Sequence, residues 1–96
     1  MNKEDKEKVF DYMINVNERN YNILKIAEEC QELSLILIQS LSKGVDEEKI
    51  IEEIGDVKFR LKVLESYYDS EKIKERINKK LEKNLKYINE KKYKNI

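Results

Sequence analysis

Apolar side chains recur along this chain at intervals of three and four, the period of helices that turn one face inward. Four segments carry the pattern. The first runs from about Lys3 to Val16, with Val9, Phe10, Met13 and Ile14 on one face. It gives way to the polar stretch Asn15 to Asn20, whose asparagines suit a cap or a turn. The second runs from about Tyr21 to Ser42 and stops at Ser42-Lys43-Gly44, with Gly44 suited to the left-handed position that follows a helix. Asp46 caps a third segment that opens with Glu47 and Glu48, favourable to the helix dipole. It continues through Tyr67 along Ile50, Ile54, Val57, Leu61 and Leu64. Asp69 or Ser70 caps the fourth, where Ile73, Ile77, Leu81, Leu85 and Ile88 stand on a strongly basic background and the last few residues are expected to fray.

The second segment departs from a simple one-faced pattern. Leu33, Leu35, Ile36, Leu37, Ile38 and Leu41 point in nearly every direction around the axis, which predicts burial on two sides. One side is the chain's own core and the other a second subunit, so a homodimer or a dimer of dimers is expected. The chain has no proline, only two glycines and many Glu, Lys, Leu and Ile, all favourable to helix. Short connections make neighbours antiparallel, so the expected fold is all-α, an antiparallel bundle of about four helices in one domain over residues 1–96. A chain of 96 residues buries only a modest share of its surface, which again favours an oligomer.

Charge and composition narrow the functions. Lys and Arg number twenty, as do Asp and Glu, which leaves no net field to draw in nucleic acid or an anionic membrane. The distribution is uneven: residues 1–69 hold ten basic and sixteen acidic side chains, a net of −6, and residues 70–96 hold ten and four, a net of +6. A lone cysteine, Cys30, rules out an internal disulfide. With no signal-peptide pattern and no apolar run able to cross a bilayer, a cytoplasmic location is expected. Histidine is absent, which removes His acid–base chemistry, Cys/His zinc sites and Ser-His-Asp triads. Any catalysis falls to carboxylates, lysine, arginine, tyrosine or a metal.

Carboxylates are concentrated at two places, Glu28-Glu29-Cys30-Gln31-Glu32 and Glu52-Glu53-Ile54-Gly55-Asp56. Glu29 with Glu32, and Glu53 with Asp56, are spaced i, i+3, about one turn apart on a common side of their helices. Two antiparallel helices carrying such pairs can converge them on one or two cations. In a chain that is 42% charged, a lone ExxE is most simply a solvated face. At about 100° per residue, however, Glu29 falls between Leu33 and Ile36, and Glu53 falls between Leu64 and Arg60. Acids placed there are partly buried and repel one another, which calls for a bound metal or a basic partner; an ion pair from Arg60 to Asp56 is the structural alternative. An all-carboxylate oxygen set favours magnesium, with manganese as an admissible substitute. The chemistry that follows is water attack on phosphorus, with cations neutralising a polyphosphate and a spare carboxylate such as Glu28, Glu29 or Glu52 taking the proton.

The strings Lys25-Ile26-Ala27-Glu28-Glu29-Cys30-Gln31-Glu32-Leu33 and Glu52-Glu53-Ile54-Gly55-Asp56-Val57 resemble the MazG-like all-alpha nucleotide pyrophosphohydrolases, whose hallmark is ExxE, a gap of roughly twenty residues, then ExxD. Twenty residues separate Glu32 from Glu53 here. The resemblance spans nearly the whole chain. It implies an assembly packed through the central helices, magnesium held by Glu29, Glu32, Glu53 and Asp56, and hydrolysis of a nucleoside triphosphate to monophosphate and pyrophosphate. It also implies substrate contacts from Asn22 and Lys25, and from Lys80 and Asn84, which fit a Lys-x-x-x-Asn pattern near the C-terminus. Gly55, costly inside a helix by about 1 kcal/mol relative to alanine, points to close approach of a helix or ligand. Lys58 and Arg60 depart from the family, whose members are more apolar there.

Tyr21, Tyr67, Tyr68 and Tyr87 are candidate stacking partners for a base, and packing or rim residues first. Cys30 reads as a small buried side chain rather than a nucleophile. Three other functions compete: phosphoribosyl-ATP pyrophosphohydrolase, a non-catalytic helical interaction module whose acidic body and basic tail dock in trans, and nucleic-acid binding through the fourth segment. The last is opposed by overall neutrality and by Glu71, Glu75, Glu82 and Glu90.

Overall fold

Local chemistry sets the ends of four helices. The computed structural model describes residues 1–44 and 46–94, with side chains as far as Lys91, and they form α1 (Lys3–Asn15), α2 (Arg19–Ser42), α3 (Glu47–Glu65) and α4 (Ser70–Lys94). No strand occurs among the described residues, so the fold is all-α. The fraying expected of the chain's end falls in part on residues 95 and 96, outside the described residues.

Asn2 begins α1, its Oδ1 accepting from the Asp5 N–H at 2.8 Å. Asp46 Oδ1 accepts from the Glu48 N–H at 3.0 Å and so starts α3. Asp69 rather than Ser70 caps α4, accepting from the N–H groups of Glu71 at 2.9 Å and Lys72 at 3.4 Å. Gly44 follows α2 with φ at +70°, the left-handed conformation that only glycine adopts without strain. Two boundaries differ from expectation. The helix α2 begins at Arg19, two residues before Tyr21, because the nearby asparagines do not cap it: Asn15 donates to Asp11, and Asn17 donates to the Met13 sulfur. The helix α3 ends at Glu65, two residues before Tyr67, where the chain tightens into i→i−3 bonds from Ser66, Tyr67 and Tyr68.

The packed centre is a hairpin of α2 and α3. Arg19 meets Tyr68, Asn22 meets Tyr67, and Glu29 meets Glu53 and Asp56, so residue numbers fall along one helix as they rise along the other, the register of an antiparallel pair. The helix α1 leans on α3 through Phe10 and Phe59, ring centroids 5.4 Å apart. Among the described residues only Ile26, Val63 and Asn22 are fully buried, a core too small to account for much stability by itself.

The helix α4 packs along none of the other three. Its Ile73 is half-buried, while Ile77, Leu81, Leu85 and Ile88 are all more than half exposed. The radius of gyration is accordingly 17.9 Å, against about 13 Å for a compact domain of this length. No helix among the described residues is long and apolar enough to cross a membrane.

Candidate metal centre

Midway along the hairpin, the acids of α2 and α3 face one another. One carboxylate oxygen from each of Glu29, Glu53 and Asp56 lies within 4.8 Å of the other two. Glu29 and Glu53 are half-buried, as their angular position beside the apolar stripe predicts, and Asp56 is exposed. In Glu29 and in Glu53 the Oε2 atom is shut off from solvent and accepts no hydrogen bond. Two orphaned acceptors at one place are costly, and a cation is the partner that would satisfy both.

The electrostatics agree with the geometry. The Glu29 carboxyl is held above the ordinary glutamate range by burial first, then by the negative charges of Glu32, Asp56 and Glu53. Glu53 is raised in the same direction, again by burial first, then by Glu32 and Asp56, with Glu52 contributing least. Glu32 is exposed and stands outside the converging trio, yet its charge acts on both half-buried glutamates, so it borders the same place.

No basic side chain among the described residues forms an ion pair with this cluster. The ion pairs among the described residues are Lys3–Glu7, Lys25–Glu28 and Lys74–Glu71. The pairing of Arg60 with Asp56 weighed from the sequence is not made: Arg60 is half-buried with its guanidinium 5.5 Å from the Phe59 ring centroid, and its buried Nη1 finds no acceptor. The donor set fits a divalent cation. Three carboxylate oxygens from two facing helices would serve as ligands for a hard cation such as magnesium, which takes oxygen donors and keeps several waters.

The remaining candidates are spread more widely. Glu28 is half-buried and held by Lys25, Nζ to Oε2 3.3 Å, and Lys25 also lies 5.5 Å from the Tyr21 ring centroid. Glu52 is exposed next to Glu53. Asn22 is only 2% exposed and serves packing: its Nδ2 donates at 2.7 Å to the Met13 carbonyl and at 2.7 Å to the Tyr67 hydroxyl. Lys80 and Asn84 are exposed on α4, which does not pack along the helices that carry Glu29, Glu53 and Asp56, and Asn84 donates back to the Lys80 carbonyl at 2.7 Å.

Two readings are corrected. Cys30 is exposed, not buried, since no described part of the chain covers it. The close approach expected at Gly55 does not occur within the chain either, for a Cβ built there meets nothing within 4 Å. The sequence reading missed one feature, the corner where Arg19 lies 5.1 Å from the Tyr67 ring centroid and 5.6 Å from that of Tyr68. Two adjacent tyrosines just ahead of a capping Asp are its only trace in the sequence, and their partner is 48 or more residues away.

Searches against protein-family models, curated proteins and solved structures find no match to this chain.

Proposed function

We propose that this chain is a magnesium-dependent nucleotide pyrophosphohydrolase of the MazG-like kind, cleaving a nucleoside or deoxynucleoside triphosphate to the monophosphate and pyrophosphate. The observation that carries the reading is the pair of buried, unpartnered oxygens on Glu29 and Glu53, converging with Asp56. An acidic surface patch serving only solubility has no reason to lose hydration at two carboxylates with no cation to repay it.

Glu29, Glu53 and Asp56 would hold the cation, with Glu32 completing the set by a change of rotamer. Bound magnesium would supply charge neutralisation at the polyphosphate and a water of lowered pKa. The exposed Glu52 and the Lys25-paired Glu28 border the cluster as candidates for accepting the proton from that water. Manganese is expected to substitute. The half-exposed apolar residues of α2, among them Leu35 and Ile38, support a homodimer or dimer of dimers.

The interaction-module alternative rests on a specific observation too, the acidic body and the unpacked basic α4. Product analysis separates the two. Incubation with a panel of ribo- and deoxynucleoside triphosphates and magnesium should yield monophosphate and pyrophosphate in equal amounts from at least one of them. Release of nucleoside diphosphate and orthophosphate, or no magnesium-dependent turnover of any nucleotide, would overturn the proposal.

A further inference from the structure

Beyond the half-buried Ile73, no described residue of the chain covers the apolar stripe of α4. Ile77, Leu81, Leu85 and Ile88 are between 53% and 62% exposed. A lysine-rich helix standing in water gains little from propensity alone, and in proteins such helices owe their order to packing of the apolar face. The corner before α4 is held by side chains of α2. Tyr67 is fixed by Asn22 at 2.7 Å, and the Arg19 guanidinium lies against both Tyr67 and Tyr68, donating to the Tyr68 hydroxyl at 3.4 Å.

A matching open surface exists on the hairpin. Leu24, Leu35, Ile38 and Leu41 of α2 are exposed, Leu41 at 89%, and Ile51 of α3 is exposed at 66% beside the loop end. At about 1.5 Å per residue, Ile77 to Ile88 of α4 covers about 16 Å and Leu35 to Leu41 of α2 about 9 Å, with Leu24 further along the same side beyond Glu28 and Gln31. Their charges are opposite. Residues 46–56, at the loop end, hold six acidic side chains and one lysine, a net of −5, and residues 70–96 carry a net of +6. Like-charged surfaces resist association and opposite ones fix partner and register.

We propose that α4 of one copy of this chain lies along the open α2 face of a second copy, toward the loop end of its hairpin, each copy covering the other. The occupant is thus a second copy, and its seat is the exposed face of α2. This exchange is independent of nucleotide hydrolysis.

A charge-swap pair of full-length variants tests it. One variant carries Glu47→Lys and Glu48→Lys; the other carries Lys79→Glu, Lys83→Glu and Lys86→Glu. The parent should sediment as an oligomer that weakens as salt rises. Each variant alone should associate at least about tenfold more weakly, since basic α4 then meets a nearly neutral seat, or an α4 stripped of its net positive charge meets an acidic one. An equal mixture should restore association as a hetero-oligomer, because the unaltered basic α4 of the first variant then meets the unaltered acidic seat of the second. Restoration also shows that both variants are folded, and circular dichroism of each alone checks the helical content. A monomeric parent overturns the proposal, as do single variants that keep the parent's mass or a mixture that restores nothing. Unchanged mass in the single variants would point to α2 packing directly on α2.

Discussion

Glu29 of α2 and Glu53 of α3 present carboxylate oxygens within 4.8 Å of each other across the hairpin, each with its Oε2 cut off from solvent and from any donor. Mutual repulsion at such a site opposes folding, and a bound cation would relieve it. Substituting Glu53→Gln should therefore raise the melting temperature of the chain in chelator and remove the further rise that magnesium gives the parent. Scanning calorimetry of both proteins, with chelator and with magnesium, checks this. A lower melting temperature in chelator would mean that the carboxylate is stabilising in some other way.

The raised pKa values of Glu29 and Glu53 fix a pH dependence. Between the ordinary glutamate range and the raised values, the folded chain binds more protons than the unfolded chain. The stability owed to these two groups is therefore present at low pH and lost as pH rises through that window. Metal-free protein should lose stability as pH rises above the ordinary glutamate range. Added magnesium should act in the opposite sense, stabilising most where both carboxylates are ionised and least where protons compete for them. Denaturant titrations across pH, with and without the metal, read both slopes, and a magnesium effect that grows on acidification would contradict them.

Asn22 is buried against the Met13 carbonyl and the Tyr67 hydroxyl. Asn22→Ala should thus cost about 1–3 kcal/mol by stranding those groups, seen as a loss of melting temperature. If its role is packing, the remaining folded protein should keep its nucleotide KM. A raised KM at full stability would restore Asn22 to the substrate site instead.

Gly55 offers a cleaner stability test. It lies inside α3 with open space where a Cβ would go. Gly55→Ala should stabilise the chain by about 1 kcal/mol through helix propensity, and urea unfolding would show it. Destabilisation would reveal that another copy or a ligand approaches the helix at that point.

Much of this was legible along the chain because it depends on neighbours in sequence. The caps at Asp46 and Asp69 and the left-handed Gly44 follow from local backbone chemistry, and the half-burial of Glu29 and Glu53 follows from helical period. What depends on two helices meeting was not legible. Whether Glu29, Glu53 and Asp56 converge while Glu32 stays outside the trio is set by the rotation of α2 against α3, which neither sequence segment encodes by itself. Cys30 was placed in a core that needs a neighbour the chain does not supply. The stripe of α4 was equally visible, and periodicity says that it has a partner without saying where.

The most direct test of the account joins the reaction to the residue. Pyrophosphate release from the best substrate of the nucleotide panel should be measured for the parent and for Glu53→Gln, with magnesium and with chelator, at matched helical content. The account predicts release only from the parent with magnesium. Equal release from both proteins, or release that survives chelation, would contradict it.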